Sequence, residues 1–129
     1  MSSSHHTKEK LSVVLATHNE EKNLAACLQA IVDLADEIII TDGESTDKTI
    51  EIAKSFGAKI ITTTNKPNFH INKQMAMDAA TNSLVLQLDA DEIVDPELAE
   101  WIKSLLKTLS ETPERVVEKA WYIKRKNYF

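Results

Sequence analysis

Glycine is scarce: the 129 residues hold two, Gly43 and Gly57. That excludes a glycine-rich phosphate loop, which brings several backbone N–H groups against a phosphate and needs residues without a Cβ to do so. Cysteine is scarcer still. Cys27 is alone, so no disulfide can form within the chain; its place among Leu24, Leu28 and Ile31 at helical spacing marks it as core filler in a reducing compartment. No apolar run approaches the roughly 18 residues of a membrane span, and the N-terminus lacks the apolar core of a signal peptide. Positive charge is not in excess either, and a net charge of −5 argues against nucleic acid as the main partner.

What is present describes one ordinary soluble domain, 43% hydrophobic and 27% charged. A chain of this length buries about two-thirds of its unfolded surface and needs no metal or disulfide to fold. Residues 1–10, "MSSSHHTKEK", are polar and are expected to be a disordered lead-in, leaving 11–129 as the domain. Residues 114–129 collect Arg115, Lys119, Lys124, Arg125 and Lys126 against Glu114 and Glu118, a basic tail that reads first as a solvated face.

Four short runs, 11–16, 37–41, 58–64 and 83–88, are rich in Val and Ile and apolar throughout rather than alternating. Strands covered on both faces look like this. Between them lie helical stripes: Leu24, Cys27, Leu28, Ile31 and Leu34; then Ile50, Ala53 and Phe56; then Met75, Ala76 and Ala79, with Asn68 or His70 near the start. One of two readings of Thr17 and Asn19 is that they only cap the first helix, with Glu20 and Glu21 complementing its dipole; the other is a loop that faces a ligand. Ser45 or Thr46 would cap the second helix, with Gly57 just past its end. A fourth helix opens at Asp95 and Pro96 and runs through Leu98, Trp101, Ile102, Leu105 and Leu106. A last strand-like stretch, "AWYIKRKNYF", follows. The alternation predicts an α/β fold, a Rossmann-like and mostly parallel sheet in the order 3-2-1-4 with helices on both faces.

In such a sheet, ligands bind outside the carboxyl ends of the strands, where the strand order reverses. Polar clusters follow three of the four strands: "THNEE", "TDGESTDKT" and "DADE". Capping does not account for Asp42, which ends a buried strand, or for Asp89 and Asp91, because Asp95 already caps the next helix. Two unit charges about 4 Å apart repel by about 1 kcal/mol in water and about 4 kcal/mol at a protein-like dielectric. A hard divalent cation relieves that repulsion. Mg²⁺ takes one or two carboxylates and fills its other positions with substrate phosphates and water, so an Asp-x-Asp at a strand end implies a diphosphate ligand.

The stretches "LSVVLATHNEEKNLAACLQAI", "ADEIIITDGESTDKTIEIAKSFGAKII" and "LVLQLDADEIVDPEL" resemble the family 2 inverting glycosyltransferases of GT-A fold, over about residues 11 to 109. The resemblance implies that Ala16, Thr17, His18, Asn19 and Glu20 border the base and ribose of a nucleotide-sugar, with a UDP-sugar the first expectation. It implies that Asp42 meets the nucleobase, and that Asp91 and Asp89, flanking Ala90, hold Mg²⁺ or Mn²⁺. Lys73 in "NKQ" stands where the family carries arginine, and offers a point charge rather than a planar fork. His18 replaces a common tyrosine, and Glu44 stands where serine, glycine or aspartate is usual. His70 has no secure counterpart and reads as a partly exposed helix-start residue.

Complete members carry a second half that binds the acceptor and supplies the general base. By that pattern the chain is the nucleotide-sugar-binding half, truncated before the acceptor half, and contributes no assigned catalytic base; Glu92 reads as support for its loop. The implied acceptor is a glycan or lipid-linked hydroxyl in bacterial envelope or lipopolysaccharide synthesis. The implied place is the cytoplasm or the inner face of its membrane. A sheet edge left bare could pair with a second copy as a homodimer. Two rivals fit less well. A phospho-receiver module would place its acidic pair after the first strand and an aspartate after the third, where this chain has "TTTNKP". A nucleotidyltransferase would need the glycine-rich loop already excluded.

Overall fold

The computed structural model describes residues 10–65, 69–111 and 121–124. The elements run β1 (Leu11–Thr17), α1 (Leu24–Gln29), β2 (Glu37–Gly43), α2 (Thr49–Ser55), β3 (Lys59–Thr63), α3 (Phe69–Ala79), β4 (Leu84–Gln87), α4 (Pro96–Glu111) and β5 (Trp121–Lys124). They build one sheet in the order β3-β2-β1-β4-β5, and every pairing is parallel. The order expected for the first four strands is the one found, and the last strand-like stretch adds β5 beside β4. The lead-in at 1–9 and most of the basic tail lie outside the described residues.

Period-two alternation divides the strands between two apolar layers. Leu11, Val13, Leu15, Ile38, Ile40, Leu84 and Leu86 face the layer of Leu24, Cys27, Leu28, Ala53, Ile102 and Leu106, from α1, α2 and α4. Val14, Ile39 and Val85 face the opposite way and pack with Ala76 of α3. Cys27 is buried in the first layer, and burial pushes its thiol up to about 12, with the nearby Glu92 and Asp91 adding to the shift. It is core filler, as its spacing suggested. β3 departs from the expectation of strands covered on both faces. It is an edge strand, with Lys59 and Thr62 exposed.

The helix ends partly follow the sequence. The Asp95 side chain accepts the Leu98 N–H at 2.7 Å, capping α4 ahead of Pro96. Gly57, at φ +78, closes α2 with its N–H on Lys54 O and the Ala58 N–H on Ala53 O, the left-handed exit that glycine allows. The N-terminal caps expected for the first two helices are not the ones found. α1 begins at Leu24, and neither Thr17 nor Asn19 caps it; the Thr17 side chain bonds Asp42 at the end of β2, and that of Asn19 bonds the segment after β2. At α2 the carboxylate of Asp47, rather than Ser45 or Thr46, accepts the Thr49 N–H at 2.9 Å. The first helix is also shorter than its stripe, ending at Gln29 and continuing as turns to Leu34.

At the amino ends of the strands one carboxylate ties four segments together. Glu37 opens β2 and accepts the Ser12 hydroxyl of β1 at 2.6 Å, the Lys59 ammonium of β3 at 2.9 Å and the Thr81 N–H ahead of β4 at 3.0 Å. Burial alone would raise its pKa. The hydrogen bonds from Ser12, Thr81 and Lys59 outweigh burial and hold the carboxyl at about 2. A carboxylate whose folded pKa is lowered contributes stability fully above its unfolded value of about 4.3, and loses it as pH falls through the folded value. Glu37→Gln is therefore expected to lower stability at pH 7 by about 2 kcal/mol, the scale of hydrogen bonds to a charged group. Urea denaturation across pH 7 to pH 2.5 checks this: the gap between the two chains should narrow as pH falls below about 4.3.

Candidate functional site

The register of β1 against β2 sets Thr17 beside Asp42 and Ala16 beside Thr41. Because β1 also pairs with β4, the segments after β1, β2 and β4 share the carboxyl edge of the sheet, as the strand order implied. Asp42 is 1% exposed, and its carboxylate is bonded from both loops. The Thr17 hydroxyl donates to Oδ1 at 2.7 Å, the Ser45 hydroxyl to Oδ1 at 2.6 Å and the Ser45 N–H to Oδ2 at 3.0 Å. Removing a charge from water is tolerable only with such partners.

The first loop is fastened to the second, and to the start of α2, at several further points. His18 donates from Nδ1 to Gly43 O at 2.6 Å, which fixes the tautomer on that nitrogen. The side-chain oxygen of Asn19 accepts the N–H groups of Thr46 at 2.7 Å and Asp47 at 3.3 Å, while the Asn19 N–H donates to Ser45 Oγ at 2.8 Å. Asn19 holds φ 52, a left-handed conformation that asparagine tolerates better than most residues. The Glu20 N–H donates to the Thr49 hydroxyl at 2.8 Å. Glu44, with φ 58, accepts the Asn65 N–H at 3.1 Å and so ties the second loop to the end of β3. Gly43 is needed for space here: a Cβ at this position would meet Asn65 Cα at 3.0 Å and Asn72 Nδ2 at 3.1 Å.

The third loop carries the carboxylates that follow β4. The Asp89 N–H donates to Glu92 Oε1 at 2.8 Å and the Glu92 N–H donates to Asp89 O at 2.9 Å, a reciprocal clasp that accounts for Glu92 as buried loop support. Asp89 points to α3, where the Lys73 ammonium meets its Oδ1 at 3.0 Å. Ala16, Glu20, Asn23, Lys73, Asp89, Ala90 and Asp91 line a cleft of ≈ 280 Å³. A larger groove of ≈ 440 Å³ between Leu34 and Leu106 lies at the amino ends of the strands, away from these carboxylates.

Two groups of expected site residues thus emerge. Ala16, Glu20, Lys73, Asp89, Ala90 and Asp91 surround the cleft, whereas Thr17, His18, Asn19 and Asp42 form the bonded joint between the first two loops. His70 sits exposed on the first turn of α3, outside both groups. Asn23 lines the cleft without having been expected; its position three residues after Glu20, on the turn leading into α1, is the signal that could have found it.

The cleft carries negative potential. Burial raises the Glu20 pKa, and Asp91, Asp47 and Asp89 raise it further against a smaller opposing effect of His18. Among the described residues no three His, Cys, Asp or Glu side chains converge as a closed metal cage. Asp91 is exposed and the Asp89 side chain is 47% exposed, so two carboxylates stand open at one cleft. That donor set suits a hard cation that keeps water and substrate oxygens among its ligands.

The model of Glycosyl transferase family 2 matches residues 12–128. The chain belongs to glycosyl transferase family 2. An uncharacterised glycosyltransferase of Rickettsia typhi is 38% identical over 97 residues, covering 74% of this chain and 32% of that protein. The 4,4'-diaponeurosporenoate glycosyltransferase of Staphylococcus haemolyticus is 32% identical over 101 residues, covering 72% of this chain and 27% of that protein. Among solved structures, S. aureus TarS 1-349 superposes with a TM-score of 0.69 at 24% identity, over 81% of this chain and 33% of that one, a likeness of fold. The M. tuberculosis glucosyl-3-phosphoglycerate synthase in complex with Mn²⁺, UDP and phosphoglyceric acid superposes with a TM-score of 0.61 at 28% identity, over 76% of this chain and 39% of that one. The chain spans about a third of the length of these proteins. No described helix is long and apolar enough to cross a membrane.

The joint between the first two loops can be tested apart from any ligand. Asn19→Ala removes the acceptor for two N–H groups and leaves at positive φ a residue that tolerates it less well than asparagine, and is expected to destabilise the chain by about 1 kcal/mol. Amide hydrogen exchange by NMR should show Thr46 and Asp47 losing protection while the β1–β2 ladder keeps its own. Asn19→Gly relieves the backbone cost and should still lose the protection at both amides.

Proposed function

We propose that this chain is the nucleotide-sugar-binding part of an inverting glycosyltransferase that passes a sugar from a nucleoside diphosphate to an acceptor hydroxyl. One observation carries the reading: the loops after β1, β2 and β4 meet at the carboxyl edge, and an open acidic cleft with a single lysine lies at the end of β4. The complex of the mycobacterial relative with Mn²⁺ and UDP supports a UDP-sugar and a divalent cation.

In this reading Ala16, His18 and Asn19 border the nucleoside, and Thr17 and Asp42 brace that wall from beneath. Asp91 and Asp89 would hold Mg²⁺ or Mn²⁺, with Glu20 and Ala90 at the margin of the same cleft. When bound, the cation would supply charge neutralisation for the diphosphate leaving group. Lys73 adds a fixed positive charge on the same side and favours the departing diphosphate over water. The acceptor hydroxyl needs a general base, and Glu92 is committed to the Asp89 N–H. This reading assigns no described residue of the chain to the base. Envelope glycan or lipid-linked acceptors at the inner face of a bacterial membrane fit the reading, as does a homodimer through an open sheet edge.

Isothermal titration of the chain with UDP and GDP, each with Mn²⁺, Mg²⁺ or chelator, tests this. Metal-dependent UDP binding is expected, with affinity falling at least about tenfold in Asp91→Ala. Diphosphate binding unaltered by chelator or by Asp91→Ala would overturn the assignment of the metal to this cleft.

A further inference from the structure

The Lys73–Asp89 ion pair occupies one of the two carboxylates to which the proposed function assigns the cation. The ammonium is 3.0 Å from Asp89 Oδ1, and the lysine side chain is 19% exposed. It arrives from α3, on the side of the sheet opposite α1, α2 and α4. Asp89 is held from the other direction by the clasp of its N–H on Glu92. Among the described residues, the cleft lining contains three acids, Glu20, Asp89 and Asp91, and one base, Lys73.

The geometry points to Lys73 as an internal stand-in for the metal, which must hand Asp89 over before a divalent cation can bind there. This inference rests on the proposed nucleotide and metal reading and adds an order of dependence to it. A cation arriving alone competes with the ammonium for Asp89 and must break that 3.0 Å ion pair, which costs free energy. A diphosphate arriving with the cation removes the conflict. Its oxygens accept Lys73 and also complete the cation's ligand shell, so each ligand strengthens the other. The coupling between metal and diphosphate then originates in one side chain, and thermodynamic linkage makes it reciprocal. With no ligand bound, the ion pair offsets part of the negative charge that Glu20, Asp89 and Asp91 bring to the cleft.

The test uses the full 129-residue chain and follows free Mn²⁺ by its paramagnetic resonance signal, with and without UDP. Lys73→Met should bind Mn²⁺ alone about tenfold more tightly than the unaltered chain, within the usual range for coupled sites. The tightening of Mn²⁺ by UDP, present in the unaltered chain, should be largely lost in the variant. Lys73→Arg keeps the competing charge and should keep weak metal-only binding. Lys73→Gln reads the same exchange if the methionine variant does not fold. Metal-only affinity that stays equal or weakens in a folded neutral variant overturns the exchange. A UDP that leaves Mn²⁺ binding unchanged in every chain sinks the nucleotide reading instead, while the metal-only gain in Lys73→Met would still stand for the exchange.

Discussion

A carboxylate buried to 1% exposure at the end of β2 is the constraint on which the carboxyl edge depends. Asp42 cannot stay charged there without donors, and its donors come from Thr17 on the neighbouring strand and from Ser45 on its own loop. Satisfying that one group draws the first loop onto the second. Once they touch, the Asn19 carbonyl can serve Thr46 and Asp47, and His18 can reach Gly43 O. Each of these bonds is modest by itself, about 1 kcal/mol. Together they turn two polar loops into one preorganised wall, which a binding site needs if ordering is not to consume its affinity.

The acidic cleft beside that wall is organised differently. Asp89, Asp91 and Glu20 lie where mutual repulsion is unfavourable, and the raised Glu20 pKa reflects burial together with that repulsion. Lys73 compensates part of the charge from α3, and the Asp89–Glu92 clasp fixes the backbone from which Asp89 projects. The wall is closed and satisfied, while the cleft is open and still acidic. In the proposed reading the wall borders a nucleoside and the cleft receives its diphosphate.

Much of the architecture was legible in the residues. Apolar runs of Val and Ile placed the strands within one or two positions of where they lie, and strand–helix alternation gave the parallel order of the first four. Asp95 and Gly57 marked helix ends because capping and left-handed exits have strong local preferences. The first two helix starts depart from the local capping pattern for a physical reason. Asn19, Thr17, Ser45 and Thr46 have the chemistry of caps, yet a side chain that can cap its own helix can equally bond a neighbouring loop. The choice depends on what the fold brings near. Glu37 escaped notice similarly, since its partners Ser12, Lys59 and Thr81 lie 22 to 44 residues away in sequence.

By itself, the sequence determined the fold class, the family resemblance and the identity of the acidic pair at Asp89 and Asp91, because periodicity and short motifs are local and survive without a structure. Only the tertiary structure decided what each polar group answers to. It assigned Asp42 to a buried joint, Glu92 to its own loop and Lys73 to Asp89, and it separated the residues lining the cleft from those bracing it. Charge compensation acts through a few ångströms of space, and the parallel crossovers of this sheet set residues far apart in the chain within that reach.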